Sequence, residues 1–317
     1  SQIANLVVLT DMIQNAQFEK IAKAVGTTLD VNTLVNNLLL AWSAAGVGDV
    51  DRSVILFDDF LKDAQLTEFT QYHKAMMFVS LGDYDRAMPL LETIDVRFRG
   101  IGGRAMLARL KILVSQGAKD RALELFDAVY GPSTDPELQN IRARLDAGDL
   151  KVVKLPATVS QGMAEIFLSI AAFVTNDSEP VFSLMYARLA QALIGDDTDA
   201  IFLSAQMLDE LGQYDLAVRE YNKILPDHPK FYAAELGRFD AMVATGNRDG
   251  AIEAMEQLVR LHPDVPLGYA ALGDTLRRAE RNAEAKDAYD RAIALYENQN
   301  AASWRIYYAR GIVHSNL

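Results

Sequence analysis

The 317-residue chain contains no cysteine. Disulfide bridges, Cys-ligated zinc, iron–sulfur clusters and cysteine nucleophiles are thereby excluded, while the absence suits oxidising and reducing compartments alike. Histidine is scarce. His73, His228, His262 and His314 are the full set, and none stands in a two-histidine metal spacing such as H-E-x-x-H. The longest apolar run, Ile166 to Val174, is interrupted by Ser169 and falls far short of the roughly 20 residues a bilayer requires, so it reads as a core helix. Basic residues are few: 31 Lys and Arg against 43 Asp and Glu leave a formal charge of −12. The acid excess is spread along the chain and no basic stretch stands out, so neither a nucleic-acid backbone nor an anionic membrane surface is the expected partner. The start, Ser1-Gln2-Ile3-Ala4, lacks the charged segment, apolar run and small-residue site of a signal peptide.

Hydrophobic residues make up 50% of the chain and charged residues 23%, a composition with ample material for a core. What organises it is a recurring phrase. Gly48-Asp-Val-Asp-Arg-Ser-Val, Gly82-Asp-Tyr-Asp-Arg-Ala-Met and Gly117-Ala-Lys-Asp-Arg-Ala-Leu follow one another at steps of 34 and 35 residues. Phe57, Leu91 and Phe126 sit at matching offsets. Gly212-Gln-Tyr-Asp-Leu-Ala-Val and Gly246-Asn-Arg-Asp-Gly-Ala-Ile are again 34 apart, and a further 34 residues reach Glu280-Arg-Asn-Ala-Glu-Ala-Lys, where the glycine is lost but Ala285 and Tyr289 keep their places.

This pattern resembles the tetratricopeptide repeat, a 34-residue helix–turn–helix unit. Thr198–Phe231 carries Ala205, Gly212, Tyr214, Ala217, Tyr221 and Pro229 at the family's spacings. The unit 232–265 keeps Gly246, Ala251 and Pro263, and 266–299 keeps Leu272, Gly273, Ala285, Tyr289 and Ala292. Units at 34–67, 68–101 and 102–136 form an N-terminal run, and 164–197 is a weaker one. The resemblance implies an all-α fold, a right-handed superhelical solenoid of stacked helix pairs. Small residues such as Ala41, Ala75, Ala171, Ala205 and Gly273 let paired helices approach, and the turn glycines end the first helix without the cost of a Cβ.

The register breaks once. Thr134-Asp-Pro-Glu137 reads as a capping box opening a helix that runs to about Ala147. Gly148 to Thr158 then reads as irregular, and a helix follows over about 160–175. The expected organisation is a divergent N-terminal cap at 1–33, a repeat block at 34–147, a linker at 148–159 and a second block at 160–317. Pro89 is expected to kink its helix or displace its start. Trp304-x-x-Tyr307-Tyr308 begins a further first helix and leaves the last repeat incomplete, which suggests a natural chain that continues beyond Leu317.

Signatures of catalysis are missing. Gly100-Ile-Gly-Gly103 lacks the Gly-Lys-Ser/Thr of a P-loop and reads as a loop or tight helix contact. No Gly-x-Ser-x-Gly occurs. His228 and His262 recur with the repeat. Asp58-Asp59 and Asp196-Asp197-Thr-Asp199 have no calcium-loop spacing, and the latter precedes a helix, where carboxylates offset the dipole. No catalytic residue, metal or cofactor is expected.

The resemblance implies that first-helix side chains line a binding groove. In the N-terminal block these positions are Leu38, Trp42, Phe69, Tyr72, Met76, Arg104, Leu107 and Lys111. In the C-terminal block they are Phe202, Gln206, Asp209, Glu210, Leu236, Asp240, Asp274, Arg277 and Arg278. The first set is apolar with a basic edge, the second mostly acidic. Aromatics at helical spacing also pack cores, so Trp42 and Tyr72 stand equally for groove and for core. The family's chaperone-binding members use a Lys and Asn clamp on successive first helices. Phe202/Gln206, Leu236/Asp240, Ala270/Asp274 and Leu107/Lys111 do not supply it. The expected function is therefore a non-enzymatic scaffold that holds a protein or peptide segment. The alternatives are a helical platform for an enzyme or regulator whose active domain lies elsewhere and, as a minor one, an enzyme built on stacked helices. Phrases in 160–317 are similar to large bacterial repeat proteins, often exported, which implies a bacterial source and leans towards the periplasm.

Overall fold

The computed structural model describes residues 1–61, 66–133, 135–174, 180–298 and 304–317. Among the described residues there are eighteen α-helices and no strand. None is long and apolar enough to cross a membrane. The chain divides into two compact units. Unit 1 comprises residues 1–129 and 144–207, and unit 2 comprises 130–143 and 208–317.

Unit 1 begins with α1 (Gln2–Gln14) and α2 (Phe18–Ala24), which occupy the region expected to be a divergent cap. Helix pairs follow: α3 (Thr33–Gly46) with α4 (Val50–Phe60), and α5 (Thr67–Ser80) with α6 (Tyr84–Glu92). Next come α7 (Gly102–Ser115) and α8 (Lys119–Tyr130). After α9 (Pro136–Asp146), which belongs mostly to unit 2, and the irregular residues to 158, α10 (Val159–Val174) pairs with α11 (Pro180–Ile194). The unit boundary then falls inside α12 (Thr198–Glu210). Unit 2 continues with α13 (Tyr214–Tyr221), α14 (Phe231–Ala244) and α15 (Arg248–Leu261). It ends with α16 (Pro266–Arg278), α17 (Asn282–Asn298) and α18 (Trp304–Ser315). Each unit is thus a stack of helix pairs, the α-solenoid architecture.

The recurring phrase builds the turn between paired helices. Gly48, Gly82, Gly117, Gly212 and Gly246 all adopt positive φ, between +70° and +86°. The reversal uses the same two hydrogen bonds each time. Gly82 N donates to Val79 O and Asp83 N to Phe78 O, as Gly48 N does to Ala45 O and Asp49 N to Ala44 O. The next residue caps the second helix. Asp49 accepts from Arg52 N and Asp83 from Arg86 N, both at 3.1 Å, and Asn247 accepts from Gly250 N at 3.2 Å. Two adjacent residues therefore end one helix and start another. Glu280 keeps the geometry without the glycine, at φ +60°, with Glu280 N donating to Arg277 O and Arg281 N to Leu276 O.

The small residue of each second helix (Ser53, Ala87, Ala122, Ala217, Ala251 and Ala285) has no exposure. Four residues on, Phe57, Leu91, Phe126, Tyr221, Met255 and Tyr289 fill the space beside it and are at most 3% exposed. A Cβ on Gly273 would lie 2.7 Å from the Tyr289 ring, so close approach of α16 and α17 depends on that glycine. Pro89 lies inside α6, whose start is not displaced: Asp83 caps it at the same repeat position as Asp49 in α4. Thr134 lies outside the described residues. The cap of α9 is Asp135, whose carboxylate accepts from Glu137 N at 2.8 Å and Leu138 N at 3.2 Å.

Candidate functional site

The first-helix face of unit 1 is filled by the chain itself. α10 packs against both α3 and α5, and every residue from Gly162 to Ala171 is buried. The five apolar positions expected to line a groove there, Leu38, Trp42, Phe69, Tyr72 and Met76, are all at most 4% exposed. A Cβ on Gly162 would lie 2.0 Å from the Trp42 ring, which fixes how closely α10 approaches α3. At the other end of α10, a Cβ on Gly100 (φ +82°) would lie 3.0 Å from Phe173 N and 3.1 Å from Ser169 O. The Gly100–Gly103 cluster is thus a tight turn that seats α10.

A buried polar network holds this arrangement. Glu165 of α10 accepts the Tyr72 hydroxyl at 2.8 Å, and Arg104 at 2.6 Å from Nη2 and 3.2 Å from Nε. The second amino group of Arg104 bonds Asp199 at the start of α12. Burial and the Glu165 carboxylate push the Tyr72 hydroxyl well above its usual range. His73 Nε2 lies 3.0 Å from Ser169 Oγ, whose own hydroxyl donates to Glu165 O at 2.6 Å. Burial, reinforced by the nearby Arg104 charge, lowers the His73 imidazole to about 3. Asp197 accepts from Ala200 N at 3.0 Å as the cap of α12, and desolvation raises its carboxyl above the usual range. Asp197 and Asp199 are thereby assigned to a helix start and an ion pair. Lys111 donates to Leu150 O at 3.0 Å, and Leu107 is half-buried. On α12, Phe202 is half-buried and Gln206 exposed.

In unit 2 the corresponding positions meet in an open groove of about 360 Å³. α14 contributes Phe239 and Asp240, and α16 contributes Leu267, Asp274 and Arg278. α17 supplies Tyr289 and Tyr296, and α18 supplies Arg305 and Ile306. Asp274 is neutralised within the wall: the Tyr289 hydroxyl donates to it at 2.7 Å, Arg305 at 3.2 Å, and Arg277 lies 3.8 Å away. Burial, reinforced by the Asp274 carboxylate, pushes the Tyr289 hydroxyl up to about 12. Asp240 is different. Desolvation and the neighbouring Asp209 raise its carboxyl, with only Arg278 acting in the other direction. Desolvation raises Asp209 too. Among the described residues neither Asp209 nor Asp240 has an ion-pair partner. Tyr221, buried beside Asp209, Asp240 and Glu210, is held above its usual range by burial and these three carboxylates. Leu236 is half-buried and Leu267 is 48% exposed.

Sequence reasoning missed several participants. Glu165 and Ser169 could have been found, because a carboxylate and a hydroxyl inside an otherwise apolar helix require buried partners. Tyr289, Tyr296 and Arg305 belong to a second helix and to α18, and first-helix positions alone do not reach them. Among the described residues no group of His, Asp or Glu is arranged to hold a metal ion.

Residues 236–300, from α14 to beyond α17, match the sequence profile described as "Tetratricopeptide repeat". Residues 236–300 carry tetratricopeptide repeat sequence. Solved structures of repeat proteins are similar at low identity. MamA of AMB-1 shares 15% identity over 60% of this chain and 96% of its own, with a TM-score of 0.37. The P58(IPK) TPR domain shares 15% over 90% and 98%, with a TM-score of 0.27. Yeast Tom70 shares 13% over 94% and 76%, with a TM-score of 0.37. No curated protein sequence matches the chain.

Proposed function

We propose that this repeat protein is a non-enzymatic interaction scaffold, and that its partner docks in the unit 2 groove. The preferred occupant is a peptide segment, extended or helical, that carries a basic residue next to an apolar one. The observation that supports this most is the pairing of Asp240, without an ion partner and close to Asp209, with the exposed apolar side chain of Leu267 in one open groove. A lysine or arginine over Asp240 and Asp209 relieves carboxylate repulsion, and an aliphatic or aromatic side chain covers Leu267. In unit 1 the corresponding positions on α3 and α5 are covered by α10.

The test is selection of a random-peptide display library on the full chain, with Leu267→Arg as counter-target. Enrichment of segments that combine Lys or Arg with apolar residues, lost on the counter-target, supports the proposal. Enrichment of segments that bind both proteins equally removes the groove from it.

A further inference from the structure

We infer that α10 is a proton-sensitive latch on the first-helix face of unit 1: it stays seated over Trp42, Tyr72 and Met76 while His73 is neutral, and acid favours its release. The inference concerns unit 1 alone and does not depend on how unit 2 binds a partner.

His73 has no exposure and lies at the seam between α5 and α10. The Ser169 hydroxyl donates to Glu165 O, so Ser169 Oγ accepts from Nε2–H. The second ring nitrogen, Nδ1, is buried with no hydrogen-bond partner among the described residues. A proton added there would be a buried donor without an acceptor. The ionisable groups around it offer no relief. On α5 the neighbour is Tyr72, already bonded to Glu165. From α10 the carboxylate of Glu165 is taken by Tyr72 and Arg104. From α7 comes Arg104 itself, a like charge paired with Glu165 and Asp199, with Asp197 beyond it. The aromatic ring of Phe69 closes the pocket at 4.9 Å between ring centroids.

The sign follows from linkage. The closed state holds His73 at about 3, whereas a solvent-exposed imidazole titrates near ~6.5. Release of α10 therefore takes up a proton at any pH between these values. Seating is pH-independent above ~6.5. Below that, the opening equilibrium rises by up to about tenfold per pH unit until the closed-state value is reached.

Hydrogen–deuterium exchange of peptides from residues 159–174 in the full chain, between pH 7.5 and 5 and corrected for intrinsic rates, reads this opening. The range stays above ordinary carboxylate titration, and the raised Asp197 carboxyl is common to wild type and the His73 variant. Wild type is expected to open about tenfold more per unit below pH 6.5, and His73→Gln to lose that slope whatever its baseline. Glu165→Gln is expected to keep the slope, because the histidine remains. A flat wild-type profile, or an unchanged slope in His73→Gln, overturns the inference. If His73→Gln does not fold, NMR titration of the wild-type His73 imidazole decides. No titration between pH 5 and 7 in the closed state supports the latch, and a midpoint near 6.5 overturns it.

Discussion

Glu280 stands where Gly48, Gly82, Gly117, Gly212 and Gly246 stand in other turns, and it takes the same left-handed backbone at φ +60°. For a residue with a Cβ this conformation costs about 1–2 kcal/mol. Its side chain is exposed, so little packing is at stake. Glu280→Gly is expected to raise stability by about 1 kcal/mol, and Gly212→Ala to lower it by a similar amount; urea unfolding of the two variants checks both signs. This much was legible in the sequence, because the period places residue 280 at the turn regardless of what occupies it. Trp42 was not settled by the same reasoning. A first-helix aromatic at the groove position satisfies the repeat pattern equally well when a partner or the chain's own helix covers it. Covered by α10 and unexposed, Trp42→Ala is expected to cost about 3–5 kcal/mol of unfolding free energy.

At the scale of the helix, α10 departs from its neighbours. The second helices α4, α6 and α8 bury only two residues each, and α3 and α5 have runs of five buried residues, while α10 is buried for ten consecutive residues, Gly162 to Ala171. Its apolar run marked it as a core helix. Its place across α3 and α5 was not legible, since contacts such as Tyr72 with Glu165 join residues 93 apart and leave no trace in a 34-residue period. The same contacts gather 144–207 into unit 1 with the N-terminal repeats, so the unit boundary falls inside α12 and not in the irregular stretch at 148–159. The Arg104 and Glu165 pair, with side chains 17% and 6% exposed, ties α7 to α10. Removing Glu165 leaves buried Arg104 with Asp199 alone, and removing Arg104 leaves buried Glu165 with the Tyr72 hydroxyl alone. Arg104→Ala and Glu165→Ala are each expected to cost about 3–5 kcal/mol, and the double variant clearly less than the sum of the two. Additive losses in a double-mutant cycle would mean that the pair does not act as a unit.

For the molecule as a whole, the repeat period leaves two units with different uses for the same face. In unit 1 the first helices bury that face under α10. In unit 2 it remains a groove whose charged lining is Asp240, Asp274, Arg278 and Arg305. The net charge is −12, so association with a basic segment should be steered by the field of the chain. Its rate constant is expected to fall as salt rises from about 0.05 to 0.5 M, with dissociation changing less; stopped-flow association shows which limb carries the dependence. The two acids were legible as a pair, because Asp240 and Asp274 occupy equivalent repeat positions. Their different states were not, because Tyr289 and Arg305, which neutralise only Asp274, come from other helices.

The most direct test of the scaffold reading is equilibrium binding of one selected basic, apolar peptide to the full chain and to Asp240→Lys and Leu267→Arg, each checked for fold by circular dichroism. Both substitutions lie on exposed groove positions. Each is predicted to weaken binding at least about tenfold, equivalent to about 1.4 kcal/mol. Equal affinity for all three proteins would contradict a partner site in the unit 2 groove.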